Sequence, residues 1–319
     1  MALINVLKAS NGERVFTVEI SPPVNYTTMV KMSEVVEQLK DLDIDGIAVT
    51  NSTGGSFRLN PLAVVDTIRA WLRDIPIIIH LTSRDEGSVR SLYTHIGEMG
   101  QKRVSDVLVL RGDPTPGNST AVDSYKFSTV ELVGLIADYC RQNGQAIDIF
   151  VAGHPEYPES SLAKHLAYQK RKIDQGAQGI IANIVTDPER YVRYVAASHR
   201  AGVTVPIVPS LIPLTSLRRC LFLESRLHIP VPEAIKRRLD GASPDDARKR
   251  GVEMSIEIAH RLVAHGAPGI NFNIIFPQDV TSVAEILRAV RGHATIWEKY
   301  RIEDPEEIDY YNGLRSWRS

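Results

Sequence analysis

Val15-Phe16-Thr17-Val18-Glu19-Ile20-Ser21-Pro22-Pro23 is a short apolar, β-branched run closed by two prolines. Proline has no N–H to offer a sheet interior, so the pair ends a strand. One carboxylate, Glu19, interrupts the run just before the stop. A strand covered on both faces has no place for an unpartnered carboxylate, because burying that charge is expensive. Glu19 is therefore expected where the strand opens into a cavity. A rim glutamate in solvent or in a salt bridge is the competing reading.

Seven more apolar runs follow the first. They are Gly46-Ile47-Ala48-Val49-Thr50, Pro76-Ile77-Ile78-Ile79-His80-Leu81, Asp106-Val107-Leu108-Val109-Leu110-Arg111 and Asp148-Ile149-Phe150-Val151-Ala152-Gly153. Beyond them come Gly179-Ile180-Ile181-Ala182-Asn183-Ile184, Pro206-Ile207-Val208-Pro209-Ser210-Leu211 and Gly269-Ile270-Asn271-Phe272-Asn273-Ile274. The seventh of the eight, with proline inside it, is the weakest strand. Helical spacing of apolar residues separates the runs: 28–42, 61–72, 85–100, 128–143, 160–175, 188–201, 215–264 and 280–291, the seventh broken near Pro230 and Gly241. Apolar runs without strict alternation suit parallel strands covered on both sides. Eight such strand–helix units predict an α/β fold, a (β/α)8 TIM barrel, over 1–292. A doubly wound open sheet is the alternative, but no Gly-x-Gly-x-x-Gly follows the first strand. Residues 293–319, with Trp297, Tyr300, Tyr310, Tyr311 and Trp317 among acidic residues, exceed what a barrel needs. They are expected to dock on the barrel or on a neighbouring subunit.

A net charge of −1 over 319 residues argues against a nucleic-acid or anionic-membrane binder. No stretch approaches the roughly 20 apolar residues that span a bilayer, and residues 1–8 do not resemble a signal peptide. Cys140 and Cys220 have no metal-type spacing, so free thiols in a cytoplasmic protein are expected. Homo-oligomers are expected too.

Barrel enzymes place their chemistry at the C-terminal ends of the strands. Those ends carry Glu19, Thr50, Asn51, His80, Thr82, Arg111, Asp113, His154, Glu156, Asn183 and Asn273. The opposite ends start with Gly46, Pro76, Gly179, Pro206 and Gly269, and that asymmetry points to an enzyme. Singly, each residue has a plainer explanation: His80 as a satisfied core histidine, Arg111 and Asp113 as loop caps, Lys172 as a solvated helix residue. No lysine lies within a strand, which weakens a Schiff-base aldolase. Magnesium on Glu19, Asp113 and Glu156 is disfavoured by the positive charge of Arg111 and His80 nearby; no metal is expected.

Six segments together resemble the 5,10-methylenetetrahydrofolate reductases. They are Val18-Glu19-Ile20-Ser21-Pro22-Pro23, Val49-Thr50, His80-Leu81-Thr82, Leu110-Arg111-Gly112-Asp113-Pro114, Val151-Ala152-Gly153-His154-Pro155-Glu156 and Lys170-Arg171-Lys172-Ile173-Asp174-Gln175-Gly176-Ala177. Their order and spacing hold from about residue 15 to 290. The resemblance implies a flavin-carrying (β/α)8 barrel that reduces methylenetetrahydrofolate with NADH or NADPH, in one-carbon metabolism and methionine biosynthesis. It implies Glu19 as the general acid that protonates N10 of the folate, and Asp113 as the aspartate near flavin and pterin. It implies FAD contacts at Thr50, Asn51, His80, Thr82, Arg111, Gly112, Asp113, His154, Glu156, His165 and Lys172. Substrate contacts would fall on Glu19, Asp113, Asn183, Leu217 and Asn273.

The chain departs from that pattern in places. Ala182-Asn183-Ile184-Val185-Thr186 replaces Thr-Gln-Phe-Phe-Phe, and Leu217 falls where an aromatic usually stacks on substrate. His154 replaces a tyrosine, His165 falls on the flavin-ribityl aspartate, and Pro277 and Gln278 lie where many bacterial members have arginine. Two alternatives stay open: a flavin-independent reductase of a pterin or other C1 carrier, and a non-catalytic barrel in a C1-metabolism complex.

Overall fold

The computed structural model describes Leu3, Ile4, Leu7 and residues 14–114 and 125–291. The expected tail at 293–319, and most of the loop after Pro114, lie outside the described residues.

Eight parallel strands close into a barrel in sequence order: β1 (Val15–Ile20), β2 (Gly46–Val49), β3 (Ile77–Thr82), β4 (Asp106–Leu110), β5 (Asp148–Gly153), β6 (Gly179–Ile184), β7 (Ile207–Leu211) and β8 (Gly269–Ile274). The first six connecting helices are α1 (Met29–Leu39), α2 (Val65–Trp71), α3 (Val89–Gln101), α4 (Thr129–Asn143), α5 (Glu159–Asp174) and α6 (Pro188–Arg200). After β7 come α7 (Leu217–Leu227), α8 (Glu233–Leu239) and α9 (Pro244–Ala264), with breaks at the proline and glycine positions foreseen; α10 (Asp279–Arg291) follows β8. Capping boxes at Ser88 and Ser128 start α3 and α4, where side-chain oxygens satisfy the first free N–H groups. No helix among the described residues is long and apolar enough to cross a membrane.

Alternate residues point into the barrel. Val15, Ala48, Ile78, Leu108, Phe150, Ile181 and Val208 form an inner cluster capped by Leu3, Ile4 and Leu7, whereas their neighbours Phe16, Val18, Ile47, Ile79 and Val151 join the larger layer under the helices. Gly179 makes the inner layer possible, since a Cβ there would lie 2.3 Å from Cε1 of Phe150. The proline of β7 is explained by the sheet: Pro209 pairs with Ala182 just where the β6–β7 register shifts. Such a bulge tolerates a missing N–H.

At the N-terminal ends of the strands, β4 and β5 start with Asp106 and Asp148. Asp106 is fully buried and accepts the Leu3 N–H at 2.9 and 3.2 Å. Burial pushes its carboxyl up to about 7, against the hydrogen bonds from Ser105 and Leu3. It anchors the segment that plugs this end.

Candidate active site at the C-terminal strand ends

Glu19 occupies an inward position on β1, in register with Ala48 of β2 and Asn273 of β8. Its side chain is 17% exposed, so it is neither sealed nor turned into bulk water. Asn271 Nδ2 donates to Glu19 Oε2 at 3.0 Å. On the other side His80 Nε2 stands 3.7 Å from the same oxygen, too far for a hydrogen bond. His80 is buried, and Nε2 has no partner among the described residues. Burial lowers the imidazole pKa, partly opposed by the Glu19 carboxylate, so His80 is neutral and the contact is not an ion pair. The satisfied-core reading of His80 fails on that unpaired nitrogen.

The loops after β2, β3 and β4 are tied together by the Arg84–Asp85 pair. The Asp85 carboxylate accepts from Asn51 Nδ2 at 3.0 Å, Thr82 Oγ1 at 2.6 Å and two nitrogens of Arg84 at 2.8 Å. Burial disfavours its charge, but these bonds outweigh burial and hold the pKa below the usual range. Arg84 also donates to the Asp113 carbonyl at 3.0 Å. Asp113 itself is exposed, and its carboxylate accepts the Gly54 N–H at 2.8 Å. No contact links it to Glu19 among the described residues. Arg111 is exposed beside it. Gly112 has φ of +85°, and a Cβ there would meet Thr82 Cβ and Arg84 Cβ at 3.0 Å, so only glycine lets the chain run this close to β3. Thr50 Oγ1 donates to Ser21 Oγ at 2.9 Å.

A third group gathers on β5 and β6. Glu156 Oε1 pairs with His154 Nδ1 and accepts from Asn183 Nδ2, both at 2.9 Å, while its buried Oε2 is unpaired. Asn183 reaches it from the β6 bulge. Tyr157 lies between two imidazoles, with ring centroids 4.7 Å from His154 and 3.9 Å from His165. Lys172 is not the solvated helix residue of the plainer reading: it is 6% exposed. Its Nζ has only a long 3.4 Å contact to the Ala152 carbonyl and a place 5.5 Å from the Tyr168 ring. Burial lowers its pKa to about 8. Leu217 opens α7, half-buried against the core, apart from these groups. An open cleft of about 690 Å³ between the β5 loop, α6 and the end of α7 takes in Glu156 and Tyr157 but not Glu19.

Three groups went unremarked in the sequence: Asn271, Tyr157 and the Arg84–Asp85 pair. For Asn271 a signal existed, since Asn271 and Asn273 share one face of β8 at the period of two. Glu19, Asp113 and Glu156 take separate partners, and no three potential metal ligands converge among the described residues.

A family model described as methylenetetrahydrofolate reductase matches residues 4–290. The 5,10-methylenetetrahydrofolate reductase of Escherichia coli (strain K12) is 26% identical over 278 residues, covering 85% of this chain and 89% of its own. Methylenetetrahydrofolate reductase (NADH) 1 of Zea mays is 24% identical over 276 residues, 81% of this chain but 45% of the maize protein. The chain thus spans less than half the length of that relative. Among solved structures, an uncharacterized Clostridium thermocellum protein that binds two copies of 5-methyl-5,6,7,8-tetrahydrofolic acid shares the fold. Its TM-score is 0.67 at 17% identity, over 91% of this chain and 99% of that one. With the family match running across all eight strands, the chain belongs to the methylenetetrahydrofolate reductase family.

Proposed function

We propose that this chain reduces 5,10-methylenetetrahydrofolate to 5-methyltetrahydrofolate, or runs the reverse, with NADH or NADPH as reductant and FAD as bound cofactor. The observation that carries the reading is Glu19: one half-buried carboxyl at the mouth of β1, held through a single oxygen, in a barrel of this family.

The residues at the strand ends suit a flavin dinucleotide. His80 Nε2, Glu156 Oε2 and Asn273 Oδ1 are buried and unpaired, although such atoms normally have partners. They suit the hydrogen-bonding edges of a flat ring. Lys172, desolvated and without an anion, and exposed Arg111 suit a diphosphate. Gly112 allows close approach of the backbone. FAD would be held by these residues with Thr50, Asn51, Thr82, Asp113, His154 and His165. The chemistry FAD supplies when bound is hydride relay between nicotinamide and folate.

Glu19 delivers a proton to N10 of the folate and so opens the five-membered ring. Asn183 and Asn273 would face the pterin, with Asp113 at its edge. The wall of inward apolar residues below Glu19 keeps water from that side of the carboxyl.

The test is an absorbance spectrum of the purified protein, repeated after NADH and then after methylenetetrahydrofolate. A flavin spectrum bleached by the first addition and restored by the second supports the reading. Glu19→Gln is expected to abolish folate reduction and leave nucleotide-driven bleaching nearly intact; loss of both would show that the acid is wrongly assigned. A second reading, hydride passing directly from nicotinamide to a pterin or other C1 carrier, is motivated by His154 and His165, which depart from the family pattern and stack on Tyr157. A colourless but active preparation would establish it.

A further inference from the structure

Asn271 is a fully buried amide on a strand that is otherwise apolar apart from Asn273. Each of its polar groups is assigned. Thr17 Oγ1 donates to Oδ1 at 2.8 Å. Nδ2 donates to Glu19 Oε2 at 3.0 Å and to Ser210 Oγ at 3.2 Å. The amide therefore has one sensible orientation: turning it over would point Oδ1 at a carboxylate and face the Thr17 hydroxyl with N–H. Through it β1, β7 and β8 are joined at the level of Glu19.

We propose that Asn271 is the positioning residue for the acid, fixing Glu19 through Oε2 so that its other oxygen faces the mouth of the barrel. The inference rests on Glu19 being the proton donor. An N–H given to Oε2 leaves Oε1, which has no hydrogen-bond partner among the described residues, as the oxygen that carries the proton into the mouth. Removing a donor from a carboxylate oxygen, or replacing it by a like charge, is in general read in a pH profile. β2 places Ala48 beside Glu19, β8 places Asn271 and Asn273, and Ser210 of β7 meets the Asn271 amide. His80 of β3 stands 3.7 Å from Oε2, its pKa lowered by burial.

The experiment measures folate reduction and nucleotide oxidation with an artificial electron acceptor, each across the neutral pH range, in Asn271→Asp, Asn271→Leu and Thr17→Val. Asn271→Asp replaces the donor by a like charge, so the alkaline limb of folate reduction should move up by about one pH unit or more. Asn271→Leu should move it the same way and lower kcat for folate about tenfold, the equivalent of one charge-assisted hydrogen bond, with little change in KM. Thr17→Val keeps the shape of β1 and removes only the bond that orients the amide; a smaller shift in the same direction is expected, which covers the case of an unfolded Asn271 variant. Nucleotide oxidation should hardly change in any of them. An unmoved pH profile, or equal losses in both reactions, overturns the proposal. Glu19→Gln run alongside separates the two claims. If it spares folate reduction, the acid is misassigned; if it abolishes folate reduction while Asn271→Asp leaves the profile in place, only the positioning role falls.

Discussion

Lys172→Met should make the protein more stable and a poorer binder of dinucleotide. The side chain is almost fully buried and its ammonium has one long contact, to the Ala152 carbonyl at 3.4 Å. Burial takes its pKa from 10.5 to about 8, which corresponds to ~3 kcal/mol of ionisation cost. The folded value lies below the unfolded one, so the cost is absent above about pH 10.5 and complete once pH falls below about 8. Methionine keeps the apolar stem and discards the charge. Allowing ~1 kcal/mol for the lost contact and altered packing, the flavin-free variant should gain about 2 kcal/mol at pH 7. In a domain of this size that raises Tm by about 3 °C. Thermal unfolding of flavin-free parent and variant at pH 7 and near pH 10 measures it, and the gap should narrow at the higher pH. Titration of the same samples with FAD should show weaker binding by the variant, because the lysine's desolvation is relieved only by an anion. A variant less stable at pH 7, or a gap that ignores pH, would refute the electrostatic reasoning. A more stable variant with unchanged FAD affinity would refute the role given to the lysine.

Gly179→Ala should destabilise by about 1–3 kcal/mol through overpacking, since the new Cβ falls 2.3 Å from Cε1 of Phe150; urea unfolding checks this, and adding Phe150→Leu should recover much of the loss. Asp106→Asn should flatten the pH dependence of stability. The parent's contribution from Asp106 is full below about pH 3.8 and is lost as pH rises through about 7, up to ~4 kcal/mol. Urea midpoints of both proteins on either side of that window report it, and parallel pH dependence would refute it.

The barrel was legible because its pattern repeats: eight apolar runs, each followed by helical spacing, leave little choice of architecture. Glu19 was legible for a related reason, as a carboxylate inside a run that otherwise belongs to the core. Reading only the ends of strands missed Asn271, which sits earlier in β8 but shares the inward face with Asn273. Asn183 and Glu156 were both found, but their pairing was not, because the β6 bulge that turns Asn183 toward Glu156 depends on a neighbouring strand. Lys172 stands in the run Lys170-Arg171-Lys172, where polarity alone does not say which residue faces inward. Asp85 gathers Asn51, Thr82 and Arg84 from two loops, a convergence that no local pattern encodes.

The two buried ends of the barrel hold one instructive contrast. Asp106 receives the Leu3 N–H on both oxygens and the Ser105 hydroxyl on one of them. A carboxyl whose acceptors are occupied by its own chain is committed to holding that chain, and here it secures the N-terminal plug. Glu19 takes a single donor, on one oxygen, and faces a histidine nitrogen that is itself unpaired. Leaving such groups half satisfied costs stability, and a site that tolerates the cost has room for a ligand that removes it. By this criterion the end of the barrel holding Glu19, Glu156, Asn273 and His80 is the chemical one, and the end holding Asp106 is structural. The criterion owes nothing to the family resemblance, and both lead to the same carboxyl.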